Sequence, residues 1–311
     1  MAVSSVPSPS GNLVQANYYV SWIGLLISTP FLGLRLVHRH RSTGLGWDDL
    51  FALLSWVFSA VMQILMLYAI QLKTMCYHHD DIPPEDFKVY SKLSYVAAPM
   101  FTLSIGCAEA SVLFSYWRLA SIDKVSRAAF YTSIVIVSAA TLIMTALLFA
   151  RSGNSSLNVI VLSIVVASFN IVMDTVLVVL PILRIFNIQM PPGKKVLTIV
   201  FFSLGLITAS ISIARLVLLD GLQHSSDFTW DAALANMISF LGMNIHVIFA
   251  CLPAVRKFFR DKCSSTGPVN PGHGEVRPLP SVNGGQAGSH PRDVELGQVP
   301  SKPTTDNGST N

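Results

Sequence analysis

The chain has 311 residues, is 51% hydrophobic and only 12% charged, has a positive mean hydropathy of +0.54 and carries a formal net charge of +4. A soluble domain carries about twice that share of charge, so an ordinary soluble enzyme is excluded. The basic excess is sorted along the chain rather than gathered into one patch, which excludes a nucleic-acid surface.

Residues 1–16 hold neither a basic n-region nor an apolar h-region, so no cleavable signal peptide is expected. The first apolar stretch then serves as its own insertion signal. Seven such stretches follow, at 18–37, 50–72, 93–120, 129–150, 157–186, 196–219 and 232–258. Each approaches or exceeds the roughly 20 residues a helix needs to cross the hydrocarbon. Backbone polar groups in lipid must bond within the segment, so each span is predicted as a helix. The alternating pattern of a membrane barrel is absent.

Lys and Arg crowd on alternate sides of these spans. Arg35, Arg39 and Arg41 follow the first, Arg118, Lys124 and Arg127 the third, and Arg184, Lys194 and Lys195 the fifth. Arg256, Lys257, Arg260 and Lys262 follow the seventh, which brings that side to thirteen. The other side has four: Lys73, Lys88, Lys92 and Arg151. The positive-inside rule puts the N-terminus outside and the C-terminus in the cytosol. The prediction is an all-α membrane protein: an extracellular segment 1–17, a seven-transmembrane helix bundle over 18–260, and a cytosolic tail 261–311. From 264 on, that tail has 48 residues with 7 Pro and 8 Gly and no apolar run, which reads as disorder that could take a cytosolic partner. The chain is multi-pass and lies in membrane lipid; plasma membrane and endomembrane are not distinguished by this pattern.

Several features within this frame have packing explanations. Thr102, Gly106 and Ala110 form a small-residue ridge on span three, as do Gly205 and Ala209 on span six. Asp48 or Asp49 can cap the start of span two, with Trp47 at the interface. Cys107 and Cys251 lie within spans, and Cys263 is a juxtamembrane palmitoylation candidate. Cys76 alone reaches the oxidising side, without a partner there. Asn154-Ser155-Ser156 is a glycosylation sequon on the outer side, close to the membrane. His78, His79, Asp80, Asp81, Glu85 and Asp86 sit in a stretch read as a solvated acidic loop over 73–90; no metal site is expected.

Ionisable residues inside a membrane are costly and mark candidate sites. Glu109 lies nine residues before Arg118, and Asp174 ten before Arg184. Both carboxyls therefore stand roughly 14–15 Å above the inner face, level with one another near the midplane. Asn170 shares the helical face of Asp174. Two carboxyls at one level could hold a shared proton, bind a cationic ligand or run acid–base catalysis. Equally, each could bond to a neighbouring helix. Arg215 sits roughly 28 Å up, too high to meet Asp174. It is expected to snorkel outward, to pair with a loop carboxylate, or to line the mouth of an outward-facing cavity. Asn236 and Asn244 share nearly one face of span seven, with His246 pointing elsewhere. Glu109, Asn170, Asp174, Arg215 and Asn244 are the ligand-binding candidates; Glu109 and Asp174 are also the catalytic candidates.

No Gly-rich phosphate loop, Gly-x-Ser-x-Gly elbow or His-Glu-x-x-His is present. Span seven has no Lys before Lys257 at its end, so a retinal Schiff base is not expected, and no other cofactor is implied.

The ordered set of motifs resembles the fungal rhodopsin-like seven-transmembrane family, named after an integral membrane protein of the satratoxin cluster. The resemblance covers about 18–260. It rests on Gly46-Trp47-Asp48-Asp49, on Ser111 through Tyr116 to Arg118, and on Asn170, Asp174 and Pro181. It continues through Pro191 to Lys195, Ser203-Leu204-Gly205 to Arg215, Trp230-Asp231, Asn244 and Cys251-Leu252-Pro253. It implies receptor-like proteins or proteins associated with secondary-metabolite pathways, here binding a small lipophilic molecule in the bundle. A membrane-embedded cyclase or isomerase acting on a terpenoid or polyketide intermediate is the alternative, and a non-catalytic scaffold or transport helper is a third reading. Relatives commonly carry Lys where Glu109 stands and Glu where Gly242 stands. The loop between spans four and five, shortened to about 151–156, lacks their cysteines. The receptor motifs of animal G-protein-coupled proteins are not matched.

Overall fold

The computed structural model describes residues 10–42, 44–76, 83–119, 124–150, 159–185, 192–222 and 228–265. Among these residues there are seven helices and no strand: α1 Ser10–Ser42, α2 Trp47–Gln71, α3 Pro84–Leu119, α4 Lys124–Ala150, α5 Val159–Ile185, α6 Pro192–Leu222 and α7 Phe228–Ser265. All seven are long and apolar enough to cross a membrane. Most run past the predicted spans, because polar first and last turns continue the backbone hydrogen bonding where hydropathy no longer reports it. Within the stretch 73–90, read as a loop, the residues from Pro84 on belong to α3, with Glu85 and Asp86 in its first turn, where the helix dipole favours acids. Asn154, His78, His79, Asp80, Asp81 and the tail from 266 lie outside the described residues.

Consecutive helices pack against one another, and α7 closes back onto α1. α3 and α7 also touch each other across the middle. They are the enclosed pair: 72% and 67% of their membrane-length windows are buried, against 39% or less for the other five. Large apolar side chains such as Trp22, Leu26, Ile64, Leu142 and Val217 point outward, which costs nothing where the solvent is hydrocarbon. Close approach is set by small residues. A Cβ at Gly106 would run into Thr141 of α4, and one at Gly205 into Val178 of α5. Both ridges read from the sequence are therefore helix contacts.

One end of the bundle is held by charge. Arg35 of α1 is 0% exposed. Its Nε donates to Asp49 Oδ1 at 2.9 Å and its Nη2 to Asp48 Oδ2 at 3.0 Å. Nη2 also reaches Ser115 of α3 at 3.3 Å, and Nη1 donates to the Ala250 carbonyl of α7. Arg39 pairs with Asp48 as well, and Arg118 Nη1 stands 3.6 Å from Asp48 Oδ1. Ser111 donates to the Asp48 carbonyl at 2.7 Å. Asp49 does accept the Gly46 N–H at 3.0 Å, as a start-of-helix carboxylate should. That capping bond is a minor part of what the two aspartates do. Removing one partner of a buried ion pair leaves the other uncompensated, at about 3–5 kcal/mol. Arg35→Met is expected to lower stability by that amount, read as a lower thermal midpoint of the full chain in detergent. Arg35→Lys should recover only part of it, since an ammonium cannot fork across two carboxylates.

At the opposite end α2 closes with Lys73 in the left-handed region, φ 56°. The Thr74 N–H bonds to Ala69 and the Lys73 N–H to Ile70, which satisfies the last carbonyls. Cys76 follows, buried, with Asn17 Nδ2 3.7 Å from its sulfur. Burial pushes the Cys76 thiol up to about 12. At pH 8 the thiolate fraction is then negligible, so iodoacetamide should leave Cys76 unmodified in the folded chain and modify it after denaturation, as scored by peptide mass.

Candidate functional site

Three buried ionisable side chains meet in the middle of the bundle. Glu109 of α3, Asp174 of α5 and His246 of α7 are each 2% exposed or less. One potential ligand atom from each lies within 4.8 Å of the others. The level placement of the two carboxyls predicted from residue counting is thus observed. His246 points away from the face that carries Asn244, as expected, and the structure supplies its partner. It turns to Asp174, its Nε2 3.0 Å from Oδ1, while its Nδ1 lies 2.8 Å from the Gly242 carbonyl. A carbonyl only accepts, so Nδ1 carries a hydrogen. The bond at Nε2 then requires one more proton, held on the ring or on the carboxyl. Ser212 of α6 donates to the other oxygen, Asp174 Oδ2, at 2.7 Å. Glu109 Oε1 is buried with no hydrogen-bond partner. The cluster can store or relay a proton, and its donor set could also close on a metal ion. The signal for His246 was present in the sequence: Ser239, Gly242 and His246 recur at three and four residues, a small-and-polar stripe facing the centre.

The other candidates fall in three places. Asn170 lies one turn from Asp174 and borders a narrow cleft with Ser212, Arg215, Ser239 and His246. That cleft encloses about 10 Å³, close to the minimum for a single water. Asn244 belongs to a separate polar set on the far side of α7. It accepts from Ser28 at 3.2 Å and donates to Gln63 at 3.3 Å, and Ser21 donates to the same Gln63 oxygen. Gly24 makes room for it, since a Cβ there would run into the Asn244 amide.

Arg215 turns inward rather than snorkelling, and among the described residues it meets no carboxylate. Its guanidinium carbon stands 3.7 Å from the centroid of the Phe101 ring, a cation–π contact. Its Nε donates to Ser239 Oγ at 2.9 Å, and its Nη1 is buried with no partner. Arg215 borders a cavity of about 400 Å³ at the Cys76 end of the bundle. Met66 of α2, Ser94 and Phe101 of α3, Ser163 of α5 and Asn236 of α7 line it with Arg215. That volume and mostly apolar lining are typical of small-molecule sites.

Fold and site together define a multi-pass, seven-helix integral membrane protein with a ligand-sized cavity at one end and a buried acid–imidazole cluster at its centre. The chain belongs to the fungal rhodopsin domain family, whose domain matches residues 34–261. It is 26% identical over 186 residues to Receptor GIN3 of Arthrobotrys oligospora, covering 55% of this chain and 43% of that protein. It is 22% identical over 196 residues to a SAT4 family membrane protein of Emericella nidulans, covering 59% of this chain and 50% of that one. The chain therefore spans about half the length of the curated relatives it matches. No solved structure matches it.

Asp174 is the hub of the central cluster, so its truncation leaves Ser212 without that acceptor and His246 Nε2 without a partner. An unsatisfied buried polar group costs about 1–3 kcal/mol. Asp174→Ala is expected to lose that much stability in thermal unfolding. His246→Gln, whose amide can still donate toward Asp174, should lose less than His246→Leu.

Proposed function

We propose that this protein is receptor-like and binds a small lipophilic molecule in the cavity bordered by Arg215. The observation that carries the reading is the cavity itself: about 400 Å³, largely apolar, with a few polar groups converging on it. The asymmetry of Lys and Arg favours an orientation that opens this end to the outside. One relative bears the name of a receptor. The basic cytosolic loops and the tail beyond 264 would supply the inner half of a signalling device. A link to a secondary-metabolite pathway, which the resemblance implies, belongs to the same proposal, the ligand being a product or intermediate small enough for the cavity.

The alternative is a cyclase or isomerase working through Glu109 and Asp174. The central cluster favours it chemically, because a neutral acid and a carboxylate side by side can donate and recover a proton. The space beside the cluster opposes it. About 10 Å³ takes one water and no terpenoid or polyketide. The cavity that could hold such a molecule borders Arg215 and neither carboxyl.

The test uses the full chain in lipid nanodiscs and a panel of lipophilic metabolites scored by shift of the thermal midpoint. At least one compound is expected to stabilise the wild type by roughly 3 kcal/mol at a hundredfold excess over its Kd. Met66→Trp, which fills the cavity, should abolish the shift. A shift that survives Met66→Trp moves the site elsewhere. Deleting 266–311 should leave the shift intact and abolish signalling in cells.

A further inference from the structure

Two guanidinium groups within the bundle are treated in opposite ways. Arg35 faces two carboxylates, a carbonyl and a hydroxyl. Arg215 has one hydroxyl, one aromatic face and a buried Nη1 with no acceptor. Among the described residues no carboxylate lies within ion-pair distance of it, since Asp174 is engaged by Ser212 and His246 deeper in the bundle. A guanidinium carries five N–H donors, and the protein satisfies few of them here. An uncompensated buried charge costs several kcal/mol. The hydroxyl and the ring offset part of that cost, and neither supplies a negative charge. Arg215 is also the one charged side chain among the described residues lining the cavity of about 400 Å³.

We propose that the cavity takes a monoanionic amphiphile, a small carboxylic acid on an apolar body, whose carboxylate meets the Arg215 guanidinium. This rests on the receptor-like reading above and names the chemical class of its ligand. A single cation matches a single negative charge; a phosphate monoester, with nearly two, would find no second cation among the described lining residues. An amine would meet like charge. Met66, Phe101 and Leu219 offer the apolar body a surface, and Ser94 and Asn236 offer hydrogen bonds at its edge. A carboxylate seated in the cavity would be screened less than in bulk water, which strengthens the ion pair.

The experiment uses radiolabelled decanoate and the full chain in phosphatidylcholine nanodiscs, with unlabelled decanoate and decanol as competitors. Decanol has the same chain without the charge. In the wild type decanol is expected to compete at least roughly tenfold more weakly. Arg215→Gln should lose decanoate affinity by a similar factor and bring the two competitors to parity. Arg215→Lys should keep part of the preference for the acid. Met66→Trp should weaken both competitors alike. Thermal midpoints without ligand separate this from a folding defect: Arg215→Met should unfold no earlier than wild type, since it removes an uncompensated charge.

Equal competition by decanol and decanoate, with both lost in Met66→Trp, overturns the anion assignment and leaves the lipophilic cavity standing. So does an acid preference that survives Arg215→Gln, or a large drop in midpoint for Arg215→Met. Failure of both probes to compete, or their indifference to Met66→Trp, sinks the cavity reading itself. Decanoate binding that disappears when phosphatidylglycerol replaces phosphatidylcholine assigns the carboxylate's place to a lipid headgroup and overturns the free acid.

Discussion

The bundle depends on one arginine with no exposed surface. Arg35 ties α1 to both aspartates of α2, to Ser115 of α3 and to the Ala250 carbonyl of α7. In hydrocarbon the apolar faces of helices gain nothing from meeting one another, since lipid is as apolar as leucine. Polar contacts and close packing must therefore set helix register. The Arg35 contacts do so beside the central site. Ser115 is six residues beyond Glu109, and Ala250 is four beyond His246. Holding those two positions together brings Glu109 and His246 to one depth, where Asp174 completes the cluster.

Charge compensation declines along the bundle axis. At the Arg35 end, three arginines share two carboxylates, with Arg35 within 3.0 Å of both. At the centre, His246 and Ser212 satisfy Asp174, but one oxygen of Glu109 stays without a partner. Near the cavity, Arg215 has no counter-charge at all among the described residues. The polar contacts are thus most complete where they hold the helices together, and least complete where the structure leaves room. Residual electrostatic need beside an open volume is what distinguishes a binding site from a structural contact.

Positions 109 and 242 acquire a physical meaning in this arrangement. Position 109 carries a carboxyl rather than an amine, and position 242 carries no side chain. The Gly242 carbonyl then serves His246, one turn further along α7. The contact between α3 and α7 includes an acid facing an imidazole.

Much of this was legible from residue order. Seven apolar runs, their helical state, and the shared depth of Glu109 and Asp174 follow from hydropathy and from a rise of about 1.5 Å per residue, which are properties of a helix in lipid regardless of its neighbours. Azimuth relative to the neighbouring helices was not legible. That His246 and Asn244 point different ways was readable from their spacing, but not that one meets Asp174 and the other Gln63. Arg215 turned to Phe101 and Ser239 rather than to the surface. Asp48 and Asp49, which looked like caps, became the anchor of Arg35. Depth is counted along a single chain, whereas facing depends on which helices stand beside one another and how each is rotated. That information is carried by small residues such as Gly24 and Gly106 and by buried ion pairs between distant parts of the sequence, so only the folded bundle decides it.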